Sequence, residues 1–198
     1  GALERARLLG EDFLTLAYSY VGPDVTMPVY RNGTIGAAKD HLEETARQMD
    51  RRLRVRGGRA FVSVNKALIT QSSSAIPFIP LYFTILMKVM KQKGLHEDCI
   101  HQIVRLFKER LYAGGGVPVD EEGRIRVDDW EMRPDVQSEV KAFWEEVSDT
   151  NVERCSDLIG YHKDFLKLFG FGLEGVDYEA DVEIDVPFPD YNSVPVRP

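Results

Sequence analysis

The stretch Tyr30-Arg31-Asn32-Gly33-Thr34-Ile35-Gly36-Ala37-Ala38-Lys39 decides how this chain is read. A tyrosine precedes a glycine-punctuated turn, and a lysine follows on the first turns of a helix. On one continuous helix the nine residues from Tyr30 to Lys39 turn through about 900°, which sets the two side chains on opposite faces. They meet only if Tyr30 sits before the helix. Asn32-Gly33 supplies that break, because both residues tolerate positive φ, and Thr34 is placed to cap the helix that follows. A phenol and an ammonium at a strand end suit a particular chemistry. The phenol hydrogen-bonds or protonates a developing oxyanion, while the ammonium lowers the phenol's pKa and holds a sugar hydroxyl. Spacing alone leaves a second reading open, an amphipathic helix with an unrelated tyrosine upstream.

Outward from this stretch the pattern is α/β. Phe13 to Val21 is a mostly apolar run, as in a strand covered on both faces, and Gly22-Pro23 breaks it. Ile35, Ala38, Leu42, Ala46, Met49 and Leu53 recur at three- and four-residue steps, the stripe of a helix that Gly57-Gly58 ends. The basic run from Arg51 to Arg56 suits either a phosphate or the negative end of that helix. Ala60-Phe61-Val62-Ser63-Val64 is the next strand. A strand, a long helix and a strand make one parallel crossover unit. Ligands of open parallel sheets bind beyond the strand C-terminal ends, where residues 20–30 and 65–74 both fall.

The flanks read more simply. Ala2 to Leu9 has the character of a helix tail with Gly10 as its stop. Pro77 and Pro80 mark a start or kink before a helix over Leu81 to Met90. His96 to Tyr112 reads as an amphipathic helix with Ile100, Ile103, Val104, Phe107 and Leu111 on its apolar side. Gly114 to Gly123 is a loop, and Arg124 to Val127 is β-prone. Pro134 opens a helix to about Val147, and two short helices follow over Asn151 to Gly160 and Tyr161 to Phe169. Gly170-Phe171-Gly172-Leu173-Glu174-Gly175 matches GxGxxG literally, yet it follows a helical run, so it reads as a helix stop and not a nucleotide loop. From about residue 176 the chain is acidic and proline-rich, an extended or disordered tail.

Composition narrows the class. A net charge of −7 argues against a nucleic-acid binder. The longest apolar run, Ala75 to Met87, is too short to span a bilayer, which takes about 20 residues. Cys99 and Cys155 lie far apart and read as free thiols in a reducing, cytoplasmic setting. His41, His96, His101 and His162 form no ligand set, so no metal is expected. The charged N-terminal residues carry no signal-peptide pattern.

Several segments together carry a resemblance. They are Ser19-Tyr20-Val21-Gly22-Pro23, Pro28-Val29-Tyr30-Arg31, Gly33 to Lys39, Lys66-Ala67-Leu68-Ile69-Thr70-Gln71-Ser72-Ser73-Ser74-Ala75-Ile76-Pro77, Asp128-Asp129-Trp130-Glu131 and Phe165 to Gly172, in that order. The chain closely resembles the FabV-type enoyl-acyl-carrier-protein reductases, also called trans-2-enoyl-CoA reductases, in register over nearly its whole length. The resemblance implies a Rossmann-like, short-chain-reductase-type parallel sheet with extra substrate-pocket helices. It implies NADH-dependent reduction of trans-2-enoyl thioesters, on acyl carrier protein or CoA, in fatty acid synthesis. It casts Tyr30 and Lys39 as the family's Tyr-x8-Lys pair and sets Tyr20 beside them as a catalytic or substrate residue. Lys39, Lys66, Thr70 and Gln71 fall to the cofactor, and Ile76 and Leu81 to the acyl chain. Some relatives carry a second lysine after the first. Asp40 stands there, so that role does not carry over.

Family members are longer, and the opening strands and glycine-rich nucleotide loop of their dinucleotide domain have no counterpart here. The expectation is a C-terminal portion. Residues 1–70 would be the later part of an NAD-binding domain, 71–175 a helical substrate-pocket region and 176–198 an acidic tail. The missing N-terminal half would be a partner. Alone, the chain would bind NADH weakly. The alternative is a non-catalytic scaffold module that lacks the cofactor half and has an exposed strand edge near residues 13–21.

Overall fold

The computed structural model describes residues 1–185. In chain order the elements are α1 (Ala2–Arg5), β1 (Leu14–Ser19), α2 (Met27–Tyr30), α3 (Thr34–Leu53) with a 3-10 turn over Arg54–Arg56, β2 (Arg59–Val64), α4 (Gln71–Ser74), α5 (Ile79–Gln92), α6 (Cys99–Arg105) running into a π-helical turn over Leu106–Leu111, β3 (Arg124–Arg126), α7 (Pro134–Glu146), α8 (Val152–Cys155) and α9 (Leu158–Lys167).

The three strands form one parallel sheet in the order β1-β2-β3. Leu14 pairs with Arg59 through to Ser19 with Val64, and Val62 pairs with Arg124. Central β2 is buried from Ala60 to Val64 because both of its faces are covered. Val62 and Val64 pack on Ala46 of α3, while Phe61 points the other way, onto Leu106, Ile125 and Val127. This alternation explains the continuous apolar run that the sequence shows. The Asp50 carboxylate ties the end of α3 to the start of β2. It accepts from Arg54 at 2.7 Å, Arg59 at 2.8 Å and the Ala60 amide at 3.0 Å.

The largest apolar cluster lies beyond the sheet, around α5. Tyr82, Ile85, Val89 and Met90 are buried, and Val136 and Val140 of α7 cover them. Tyr30 belongs to this same cluster, so the helical region and the end of the crossover unit share one core.

Three local expectations are revised. Thr34 is the first helical residue of α3, and the capping position is the extended Gly33. The helix at the N-terminus ends at Arg5, well before Gly10. On α6 the expected apolar side is only partly covered: Ile103 and Leu111 pack on the Phe61 cluster, but Ile100 is 71% exposed and Val104 is exposed, and the buried residues are Gln102 and Arg105, continued by Leu106. The cause is a buried polar network. Arg105 donates to Glu97 at 2.7 and 2.9 Å, to Asp129 at 2.8 Å and to the Val127 carbonyl at 2.7 Å, and its guanidinium lies 4.3 Å from the Trp130 ring centre. Gln102 donates to Glu97 and accepts from the Lys66 amide. A guanidinium with this many partners can be buried, and once it is, Ile100 and Val104 on the opposite side of α6 are left outside.

After α9 the chain takes positive φ at Gly170, Gly172 and Gly175, as a helix stop requires. Residues 176–185 form no regular element and are exposed. The rest of the expected tail lies outside the described residues.

Candidate active site

The site forms where β1 and β2 end. β1 stops at Ser19, and Gly22, with φ of +73°, turns the chain. A side chain at Gly22 would run into Thr26 Oγ1 and the Tyr20 ring, so the turn needs glycine. One helical turn, α2, follows and places Tyr30 at its end, 7% exposed. The chain then reverses through Asn32-Gly33 into α3. Gly36 sits against the Arg31 carbonyl, where a Cβ would collide with backbone. That close approach folds α3 back on α2 and brings Lys39 to Tyr30. The Lys39 ammonium lies 5.5 Å from the centre of the Tyr30 ring and donates to Ser19 Oγ at 3.2 Å.

The electrostatics differ from the sequence reading in one respect. The ammonium lies near the Tyr30 ring and does not bring the phenol's pKa down. Burial, then the negative charge of Glu131, pushes Tyr30 up to about 12. Lys39 is pushed below the usual lysine range by its own burial, then by the Arg31 charge, with Glu43 opposing.

Tyr20 packs edge-on to Tyr30 with ring centres 4.8 Å apart. Its hydroxyl donates to Glu131 Oε1 at 2.7 Å, and the Tyr82 hydroxyl donates to the same oxygen at 2.7 Å. Glu131 Oε2 accepts from the Ala67 amide at 2.6 Å. Glu131 and Tyr82 are both fully buried. Lys66 is buried as well and donates to the Ala67 carbonyl at 2.7 Å. Burial lowers its pKa, while Glu131 and Glu97 act against that.

The remaining expected residues lie nearby in different settings. Thr70 caps α4, accepting from the Ser73 amide at 3.1 Å, so its hydroxyl is engaged in local structure. Gln71 is exposed. Ile76 and Leu81 pack against the cluster that holds Tyr30. Thus Tyr20, Tyr30 and Lys39 are brought together directly, Lys66 joins them through Ala67 and Glu131, and Thr70 and Gln71 stand at the rim beyond β2. Beside this wall is a cavity of about 200 Å³, lined by Lys66, Ile69, Phe83, Leu86, Met87 and Leu168 among others. Phe83 is shared, since its ring also meets Tyr20 at 6.4 Å.

Sequence reasoning missed Glu131, Tyr82 and Ser19 as parts of the site. Glu131 stood only within a quoted motif. The third acid of the segment Asp128-Asp129-Trp130-Glu131 gives no sign that it is buried against two tyrosines.

Comparisons with known proteins agree with this architecture. Residues 1–112 match the family model described as the trans-2-enoyl-CoA reductase catalytic region, and residues 119–182 match the enoyl reductase FAD binding domain. The glycine run in the second matched region does not fit the pyrophosphate of a flavin nucleotide. The glycine run Gly170–Gly175 follows the C-terminal end of α9, whose carbonyls repel a pyrophosphate, and Glu174, Asp177 and Glu179 add to that repulsion.

The chain is 55% identical over 198 residues to an enoyl-[acyl-carrier-protein] reductase [NADH] of Coxiella burnetii, covering 100% of this chain and 49% of that protein. It is 59% identical over 180 residues to the protein of that name from Flavobacterium johnsoniae, covering 91% of this chain and 46% of that one. Among solved structures, the trans-2-enoyl-CoA reductase of Clostridium acetobutulicum in complex with NAD superposes with a TM-score of 0.86 at 48% identity, over 92% of this chain and 47% of that one. The Treponema denticola enzyme, also in complex with NAD, gives 0.85 at 54% identity, over 91% of this chain and 45% of its own. The chain spans about half the length of the curated relatives it matches. With its Rossmann-like parallel sheet, its Tyr30–Lys39 wall and a family match over more than half its residues, the chain belongs to the trans-2-enoyl-CoA reductase family.

Proposed function

We propose that this chain supplies the proton-donor wall and the acyl side of an NADH-dependent reductase of trans-2-enoyl thioesters. The observation that carries the reading is the meeting of Tyr30 and Lys39 beyond the C-terminal ends of β1 and β2. NADH, when bound, supplies a hydride to C3 of the enoyl group. The C2=C3 pair then forms a C1=C2 bond while the carbonyl pair moves onto the thioester oxygen, and that oxygen needs a donor. As the carbonyl re-forms, C2 takes up a proton from water, directly or through Tyr30, to give the saturated product.

Tyr30 is placed for this role. At a pKa of about 12 it keeps its proton at neutral pH, so it donates a hydrogen bond to the developing oxyanion and stabilises it. Lys39 offers its remaining N–H groups to the cofactor ribose and places positive charge beside the developing anion. Thr70 and Gln71 lie where the cofactor would pass, and Lys66 fixes the loop that carries them. Ile76, Leu81 and the cavity walled by Phe83, Leu86 and Met87 receive the acyl chain. In this reading residues 1–70 are the later part of the cofactor domain and 71–175 the substrate-pocket region. The carrier is CoA or acyl carrier protein. The free thiols Cys99 and Cys155 fit a cytoplasmic setting, and no helix among the described residues is long and apolar enough to cross a membrane.

A labelling experiment tests the reaction. The complete protein is given a trans-2-enoyl thioester and NADH carrying deuterium at both C4 positions of the nicotinamide. The account expects one deuterium at C3 of the saturated product. Deuterium at C2, or none in the product, would rule it out.

A further inference from the structure

We propose that Glu131 is a positioning residue for this site: its carboxylate accepts hydrogen bonds from the Tyr20 and Tyr82 hydroxyls and so leaves Tyr30 as the tyrosine of the wall whose hydroxyl is free to donate. The inference rests on the reductase reading for its activity arm and on the geometry of the chain for the rest.

Glu131 is fully buried and makes no ion pair among the described residues. A lone buried carboxylate is costly unless its oxygens are filled. Both are filled, by Tyr20 from the end of β1, Tyr82 from α5 and the Ala67 amide from the loop after β2. Its own carbonyl accepts from Gln137 of α7 at 2.7 Å. One carboxylate therefore holds three elements that converge on the site. A tyrosine hydroxyl has a single proton. Tyr20 spends its proton on Glu131, so toward a substrate oxygen it presents lone pairs only. The Tyr30 hydroxyl makes no hydrogen bond among the described residues and stays available. Because the Tyr20 ring packs edge-on to Tyr30, holding the Tyr20 hydroxyl also holds the surface against which Tyr30 rests.

Charge acts in the same direction. Glu131 faces Tyr20, Tyr82 and Lys66. Tyr30 faces Glu131 on one side and Lys39 on the other, with Arg31 and Glu43 behind the lysine. Burial pushes the Glu131 carboxyl up, while the Ala67 amide, Tyr82, Tyr20 and Lys66 pull it down. Its ionised form opposes ionisation of Tyr30 and so protects the proton that the reaction uses.

The first readout needs no activity. Tyrosinate absorbance is followed against pH, and the Tyr30 transition is isolated by subtracting the Tyr30→Phe protein. Glu131→Gln should shift that transition to lower pH. An unshifted transition overturns the proposal. In the complete reductase the same variant should lower kcat/KM about a hundredfold, as misplacement of a reacting group does. If Glu131→Gln does not fold, Glu131→Asp decides. It keeps the charge but shortens the reach, so the transition should stay high while kcat/KM falls, and unchanged kcat/KM in that variant overturns the proposal. A shifted transition in Glu131→Gln together with a wild-type protein that reduces no enoyl thioester would sink the reductase reading and leave Glu131 as the residue that sets Tyr30.

Discussion

Tyr30 keeps its proton to about pH 12 in the folded chain, whereas an unfolded tyrosine loses it near its ordinary value of 10. Between those values the folded state binds more protons than the unfolded one, so stability must fall as pH rises through the window. Tyr20 and Tyr82 are raised too and act in the same direction. The difference between wild type and Tyr30→Phe isolates the one residue. Urea midpoints at pH 9 and pH 11.5 should fall less in Tyr30→Phe than in wild type, and equal falls would show that Tyr30 does not hold its proton. The local spacing, nine positions with one Asn-Gly break before a helix, allowed Tyr30 and Lys39 to meet, but it was the family resemblance that singled them out as a pair. Glu131 was not legible. Its partners Tyr20, Tyr82 and Ala67 lie 111, 49 and 64 positions away, and no window of sequence joins them.

At the scale of elements, periodicity located α3, β2, α5 and α7 within a few residues, because each buries a face or a whole girth that its composition advertises. It misjudged part of α6, where Ile103 and Leu111 pack inward but Ile100 and Val104 do not, and the reason is physical. The pattern assumes that apolar residues face the core, but here the Glu97–Arg105–Asp129 network occupies the inward side and joins α6 to the chain leaving β3. Arg105 and Glu97 are each 5% exposed at their side chains. Breaking one partner leaves the other as an uncompensated buried charge, so Arg105→Met should cost about 3–5 kcal/mol in a denaturant titration. Replacing both, with Glu97→Gln added, should recover part of that loss. A cost below about 1 kcal/mol for the single variant would mean the network is solvated and worth no more than a surface pair.

At the scale of the molecule, the sheet has three strands among the described residues and β1 stands at its edge. Leu3, Leu8, Ile35, Met49 and Val55 are exposed, so the apolar stripe read along α3 is only partly covered. An exposed edge with apolar neighbours invites pairing. This 198-residue chain by itself should therefore associate as its concentration rises and bind NADH weakly. Sedimentation and NADH fluorescence titration check both, and a monomer with tight NADH binding would contradict the account. The same exposed edge is what a non-catalytic scaffold would use, so association alone does not separate the two readings. Turnover does. The most direct test is enoyl-thioester reduction by the complete protein with Tyr30 intact and as Tyr30→Phe. The account predicts NADH oxidation by the first and a fall in kcat of about 10²–10³ in the second, the loss expected when an oxyanion donor is removed. A Tyr30→Phe enzyme within about tenfold of wild type would contradict it, for Tyr30 would then not be the group that meets the oxyanion.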